Sequence, residues 1–170
     1  MKTTKNIIIL STIVILFACQ TNRPDNAEIN GKWWSYNISE TEYCEYDIDK
    51  DSIGSFSHYT GNFPRIDYNI DNDTLYYLNG KFIINMISKN QFSLTNGNAT
   101  DTLTRLPDSI ITFHTIDYHN DSVFDLFYIE FQKRAYDCWV KYGYVTEEEL
   151  RNSFIEKKDI KEEIILMNKK

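Results

Sequence analysis

The chain has 170 residues, and its 18 lysines and arginines against 25 acids leave a formal net charge of −7. A nucleic-acid binder presents a basic face, and no cluster of Lys or Arg stands before the C-terminal tail, so nucleic acid is not an expected partner. Aromatic residues make up 15% of the chain, twelve of them tyrosines, ample for the core of one domain of about 140 residues and for an apolar cavity within it.

The first element is a leader. Lys2 and Lys5 stand before the apolar run Ile7–Phe17, and Ala18-Cys19 follows. A basic start, a short apolar stretch and a small residue before a cut make a secretory signal peptide. The run is short for a transmembrane helix, which needs ~20 apolar residues. Leu16-Phe17-Ala18-Cys19 resembles the lipobox of bacterial lipoproteins. The resemblance implies that residues 1–18 are removed and that Cys19 carries acyl chains such as palmitate. Stable anchoring takes more than one such chain, which lipoprotein processing supplies. Gln20 stands where an acid would mark inner-membrane retention, so the resemblance implies an outer-membrane lipoprotein of the cell envelope, periplasmic or surface-exposed. Loss of residues 1–18 removes two lysines and no acid, taking the net charge to −9. Residues 19–30, polar and containing Pro24, read as a tether.

Residues 31–118 read as a β-meander. Turn signals recur at Asp49-Lys50-Asp51, Gly61–Pro64, Asp71-Asn72-Asp73, Asn79-Gly80, Lys89-Asn90, Asn96-Gly97-Asn98 and Pro107-Asp108. Between them Ile66, Tyr68 and Ile70 alternate with Arg65, Asp67 and Asn69, and Cys44, Tyr46 and Ile48 with Glu45 and Asp47. Period two with one apolar face predicts half-buried antiparallel strands. Asn79-Gly80 suits a type I′ hairpin. Eight or nine strands joined by tight turns leave no room for crossover helices, so the expected fold is mainly β. It is an antiparallel up-and-down meander, a barrel or strongly curled sheet, followed by a C-terminal helical segment.

Residues 119–170 read as a helical region packing on that meander. Ser122 is the expected N-cap with Asp125 reaching back. Val123, Phe127, Phe131, Ala135, Cys138 and Tyr142 fall at helical spacing, and Gly143 suits the position after the helix, while Val123–Phe131, apolar on nearly all sides, also reads as a last strand. Thr146 and Glu149 make a second capping pair, while Ile160–Met167 reads equally as helix, strand or loose tail. Cys44 and Cys138 either pair in an oxidising compartment or stay separately buried.

Gly31-Lys32-Trp33, opening the first strand of an exported meander, resembles the G-x-W motif of lipocalins, and the whole is similar to the lipocalin-like lipoproteins of Bacteroidota. The resemblance implies that Gly31 and Trp33 close one end of a barrel. Trp34, Tyr36, Tyr77 and Phe82 are the bulky candidates to line a ligand cavity or simply to fill it.

Catalytic groupings are scarce. His58, His114 and His119 make no metal spacing, no Cys-x-x-Cys exists, and the paired acids Asp49/Asp51 and Asp71/Asp73 sit in turns that favour Asp anyway. No catalytic residue, metal or cofactor is expected, and the chain does not read as an enzyme. An Asp-Ser/Thr-aliphatic tripeptide recurs at Ser52, Thr74, Thr102, Ser109 and Ser122. It is similar to the O-glycosylation signal of Bacteroidota envelope proteins, and it also arises wherever a turn Asp precedes a strand. Two functions fit: non-catalytic binding of a small apolar ligand by a membrane-tethered barrel, or an interaction or scaffold subunit of an envelope assembly with a solid barrel.

Overall fold

A computed structural model describes residues 26–149 and 151. The expected signal peptide, Cys19, most of the tether and the tail from residue 152 lie outside the described residues. One helical turn, α1 (Asn26–Ile29), precedes nine strands: β1 (Gly31–Asn37), β2 (Glu42–Ile48), β3 (Ser52–Ser57), β4 (Gly61–Asp67), β5 (Asn69–Asp71), β6 (Thr74–Tyr77), β7 (Gly80–Ser88), β8 (Gln91–Asn96) and β9 (Ala99–Arg105). A 3-10 turn at Phe113–Thr115 and the helix α2 (Asp121–Lys141) follow.

All pairings are antiparallel, in the order β4-β3-β2-β1-β9-β8-β7-β6-β5. The first strand pairs with the last, Trp33 opposite Arg105 and Trp34 opposite Thr104, which curls the meander onto itself. The two edges of the sheet, β4 and β5, are neighbours in the chain with only Tyr68 between them. One arm of that stretch pairs with β3 and the other with β6. The result is a nearly closed barrel, and near-closure removes the exposed edges that an open sheet of this size would carry.

Local chemistry moved some boundaries. The hairpin expected at Asn79-Gly80 turns one residue earlier: Leu78 and Asn79 hold positive φ (51° and 62°), and Gly80 opens β7 opposite Tyr77. The ladder ends at Arg105, short of Tyr118. Residues 106–120 form a strap outside the barrel, because Thr112 and Phe113 find burial there (2% and 6% exposed). Asn120, not Ser122, caps α2, its side chain accepting from the Val123 amide. The expected inner face of the helix is present, with Phe127, Phe131, Ala135 and Cys138 buried, while Val123 and Tyr142 at its ends are exposed.

Two cores result, one on each face of β1–β3. Inside the barrel lie Ile29, Trp33, Ile48, Ile53, Phe92 and their neighbours. Outside, Tyr43 and Phe56 pack against Phe113, Phe127 and Phe131, with Phe56 edge-on to Phe127 and Phe131. The strap is drawn in by Lys32, whose ammonium donates to the carbonyls of Asp108 (2.9 Å) and Ile110 (2.6 Å). It can approach closely because β3 has Gly54 beneath it; a Cβ there would meet the His114 ring at 2.5 Å.

Between the outer layers sits an ion pair. Glu45, its side chain 1% exposed, accepts from Arg134 Nε (2.6 Å) and Nη2 (3.2 Å) and from the Tyr43 hydroxyl (2.8 Å). Removing one partner of a buried pair leaves an uncompensated charge, so Arg134→Ala is expected to cost about 3–5 kcal/mol in denaturant unfolding. The double variant Glu45→Leu/Arg134→Leu is expected to lose far less, since apolar replacement of both partners is close to neutral. A double variant as unstable as the single one would contradict the pairing.

Candidate functional site

The barrel interior is built by strand parity, since successive side chains point to opposite faces. On β1 this sends Trp33 and Ser35 inward and Trp34 and Tyr36 outward. On β2 it sends Cys44, Tyr46 and Ile48 inward, and Tyr43, Glu45 and Asp47 toward α2 and the strap. The alternating hairpins also sort the two ends. The turns β2–β3, β5–β6 and β7–β8 lie at the end where α1 enters. The turns β1–β2, β3–β4, β6–β7 and β8–β9 lie at the other.

The α1 end is a floor. Trp33 is fully buried, and its indole N–H donates to the Ile29 carbonyl at 2.7 Å. Phe92 meets it edge-on at 4.6 Å between ring centroids, and the Arg105 guanidinium lies 4.1 Å above its ring. Arg105 also donates to the carbonyls of Asn30 (3.0 Å), Glu28 (3.2 Å) and Lys89 (3.3 Å), tying α1 to the β7–β8 turn. Gly31 is required here: its φ of 129° disfavours any side chain, and a Cβ would lie 2.5 Å from Arg105 Nη1. Because Ile29 is fully buried, the polar segment expected to run to Asn30 gives way to packed structure by α1.

Above the floor the interior changes character. Tyr77, Phe82 and Leu94 pack against the inner cluster yet stay only half-buried. Tyr77 also lines a hollow of about 480 Å3 beside the seam, with Ile66 and Asp67 of β4 on one wall and Leu78–Lys81 on the other. Ser35 Oγ donates to the Tyr46 hydroxyl at 3.5 Å, a polar contact within the same wall.

Of the four cavity candidates, the structure brings Tyr77 and Phe82 to the interior cluster. It places Trp34 and Tyr36 in the outer layer, where Trp34 lies 5.8 Å from Tyr43 and Tyr36 stacks on Tyr142 at 4.9 Å. With Trp33 inside, parity allows no other place for Trp34. Sequence reasoning missed Arg105, Ile29 and the buried acids Glu45 and Asp47. The signal for Arg105 was its parity with Leu103, which puts a cation on an inward face that must supply a partner. Asp47 is held by Thr112 Oγ1 (2.9 Å) and Arg65 Nη2 (2.9 Å).

The three histidines are apart. His114 covers Gly54, His58 has its ring edge-on to Trp139, and His119 is exposed. Among the described residues no group of three His, Cys, Asp or Glu is placed to hold a metal. Of the five tripeptide hydroxyls, Ser52 donates to Asp49 and Thr74 to Asp73 (both 3.2 Å), whereas Thr102, Ser109 and Ser122 are exposed residues. No family model, curated protein or solved structure matches the chain. The fold is a nine-stranded, nearly closed antiparallel barrel with a helix packed outside it.

Cys44 and Cys138 are free thiols on opposite sides of the sheet, one facing the interior and one in the outer layer. Burial pushes Cys44 up to about 12 and Cys138 up to about 11. An unfolded thiol ionises near ~8.5. As pH rises past that value the unfolded state loses protons that the native state keeps, so stability falls on the alkaline side. Both thiols are expected to resist alkylation at pH ~8 in the native chain and to react fully in denaturant. Rapid native labelling of either would contradict this placement.

Proposed function

We propose that the chain is a lipid-anchored envelope lipoprotein whose lipocalin-like barrel binds a small apolar ligand without chemistry. The observation that carries the reading is the half-buried state of inward-facing Tyr77, Phe82 and Leu94 above a fully buried floor. Apolar side chains that face inward and still reach solvent form a surface that a ligand can cover, and an eight-to-nine-strand barrel has room for one small molecule. The seam beside Tyr77 supplies the entrance. Lipidation of Cys19 belongs to the same reading: the chain enters at the floor through α1, so a tether from an outer membrane holds the mouth away from the lipid. Thr102, Ser109 and Ser122 are the hydroxyls whose exposure suits a glycan. The second reading, an interaction or scaffold subunit, draws on exposed surface aromatics such as Tyr59, Tyr118 and Tyr144.

The test uses the chain begun at Gln20, which keeps Ile29 and α1. An apolar fluorescent probe is expected to bind saturably at one site and to raise the melting temperature, because it binds the folded state. Tyr77→Ala is expected to weaken binding several-fold with the fold intact. A folded chain that binds no such probe has a solid barrel, and the scaffold reading replaces this one. For the anchor, intact mass of the cellular protein is expected to show acylated Cys19, with Cys19→Ala accumulating as uncut precursor. An unmodified Cys19 would remove the anchor.

A further inference from the structure

The ladder between the first strand and the last is short. Trp33 pairs with Arg105 and Trp34 with Thr104. Among the described residues no pairing joins residues 35–37 of β1 to residues 99–103 of β9. A cleft of about 400 Å3 lies there, within the ~300–1,000 Å3 usual for small-molecule sites. It stands in the middle of the strand order, on the opposite side of the barrel from the seam beside Tyr77.

The two walls of the cleft differ. One is aromatic: β1 contributes the outward Trp34 and Tyr36, and the C-cap of α2 contributes Tyr142. The Tyr142 amide donates to the Cys138 carbonyl at 2.9 Å, which sets the residue at the end of the helix. Its ring stacks on Tyr36 at 4.9 Å, with 12° between the planes, and is still 44% exposed. The other wall is polar. Thr102 and Thr104 stand on the outer face of β9, and the Gln91 amide donates to Thr104 Oγ1 at 3.4 Å. Asp101 has the parity of Leu103, yet it too lines the cleft, where no residue of β1 pairs with it. Burial and the nearby Glu42 carboxylate push the Asp101 carboxyl above the usual carboxylate range. Among the described residues neither Asp101 nor Thr102 has a side-chain hydrogen bond or ion pair. The rim is fixed by Asn37, whose Oδ1 accepts from the Ser39 amide (3.1 Å) and hydroxyl (2.7 Å).

Charge narrows the choice of ligand. The ring faces that would attract a cation already have one, since Lys141 Nζ lies over Trp34 (5.9 Å) and Tyr142 (5.4 Å). An anion would meet Asp101 with Glu42 beside it. An uncharged molecule with one apolar face and a rim of hydroxyls suits both walls, and a sugar ring has that form. Its C–H face packs on an aromatic plane, and its O–H groups satisfy a half-buried carboxylate that lacks donors. We propose that the cleft between β1 and β9 binds a neutral saccharide. One sugar unit lies against the Tyr36–Tyr142 pair, its hydroxyls donating to Asp101 and exchanging hydrogen bonds with Thr102. The site is independent of ligand binding in the barrel interior.

Saturation-transfer NMR on the full-length chain tests it, in a detergent without sugar headgroups. The probes are glucose, galactose, mannose, N-acetylglucosamine, cellotetraose and maltotetraose. At least one is expected to bind saturably, with the strongest transfer to ring C–H protons. Binding of a free monosaccharide supports a free-sugar site, and binding of a tetramer alone supports a site for a glycan chain. Tyr142→Ala is expected to weaken binding by about tenfold. Thr102→Val, which exchanges an exposed hydroxyl for a methyl and leaves the fold intact, is expected to weaken it several-fold. Tyr128→Ala, at an exposed ring on α2 outside the cleft, is expected to leave it unchanged. Binding of none of the six probes overturns the proposal, as does binding that both Tyr142→Ala and Thr102→Val leave intact. Tighter binding of tetramethylammonium than of any saccharide overturns it in favour of a cation site.

Discussion

Glu45 sits on the middle of β2 with its carboxylate between two layers, and everything outside the barrel is arranged around it. A buried charge without a partner is too costly to keep. Arg134 answers it from α2 with a two-pronged contact, and Tyr43 adds a hydroxyl from the same strand. That pairing fixes which turn of α2 faces the sheet, and so which residues, Phe127 and Phe131 among them, become core. Two residues along, Asp47 does the same for the strap by receiving Thr112. The apolar contacts of the outer layer supply the bulk of its stability, and the two carboxylates supply its register.

The inner layer has a different anchor. Trp33, Ile29 and Arg105 make a floor in which a cation lies over an indole and also gathers three carbonyls. It joins the first strand to the last across their short ladder and seats α1 beneath both. Since β1 pairs with β9 only through Trp33 and Trp34, this cluster accounts for much of the closure. A rigid floor with half-covered side chains above it is also the asymmetry that the proposed ligand site needs.

The strands were legible because Tyr46, Ile48, Tyr68 and Ile70 alternate with polar neighbours between Gly, Asn and Asp turns. The helix was legible through Phe127, Phe131, Ala135 and Cys138. What alternation could not convey is a sheet covered on both faces. Glu45 and Asp47 look like a solvent face until Arg134 and Thr112, far along the chain, arrive to bury them. The hint was the adjacent pair Trp33-Trp34 and the outward Phe56, since aromatics of both parities mean that both sides are packed. For the same reason Trp34 and Tyr36, expected in the cavity, pack in the outer layer instead. Tyr77 was separable from Tyr76 only once Leu75 was placed in the core.

Two methionines outside the expected leader, Met86 in the barrel wall and Met167 in the tail, allow the central claim to be read from one spectrum. In the chain begun at Gln20 with methyl-labelled methionine, titration with an apolar ligand should shift the Met86 methyl resonance and leave that of Met167 in place. A Met167 shift with Met86 unmoved would locate the ligand away from the barrel interior and contradict a binding barrel.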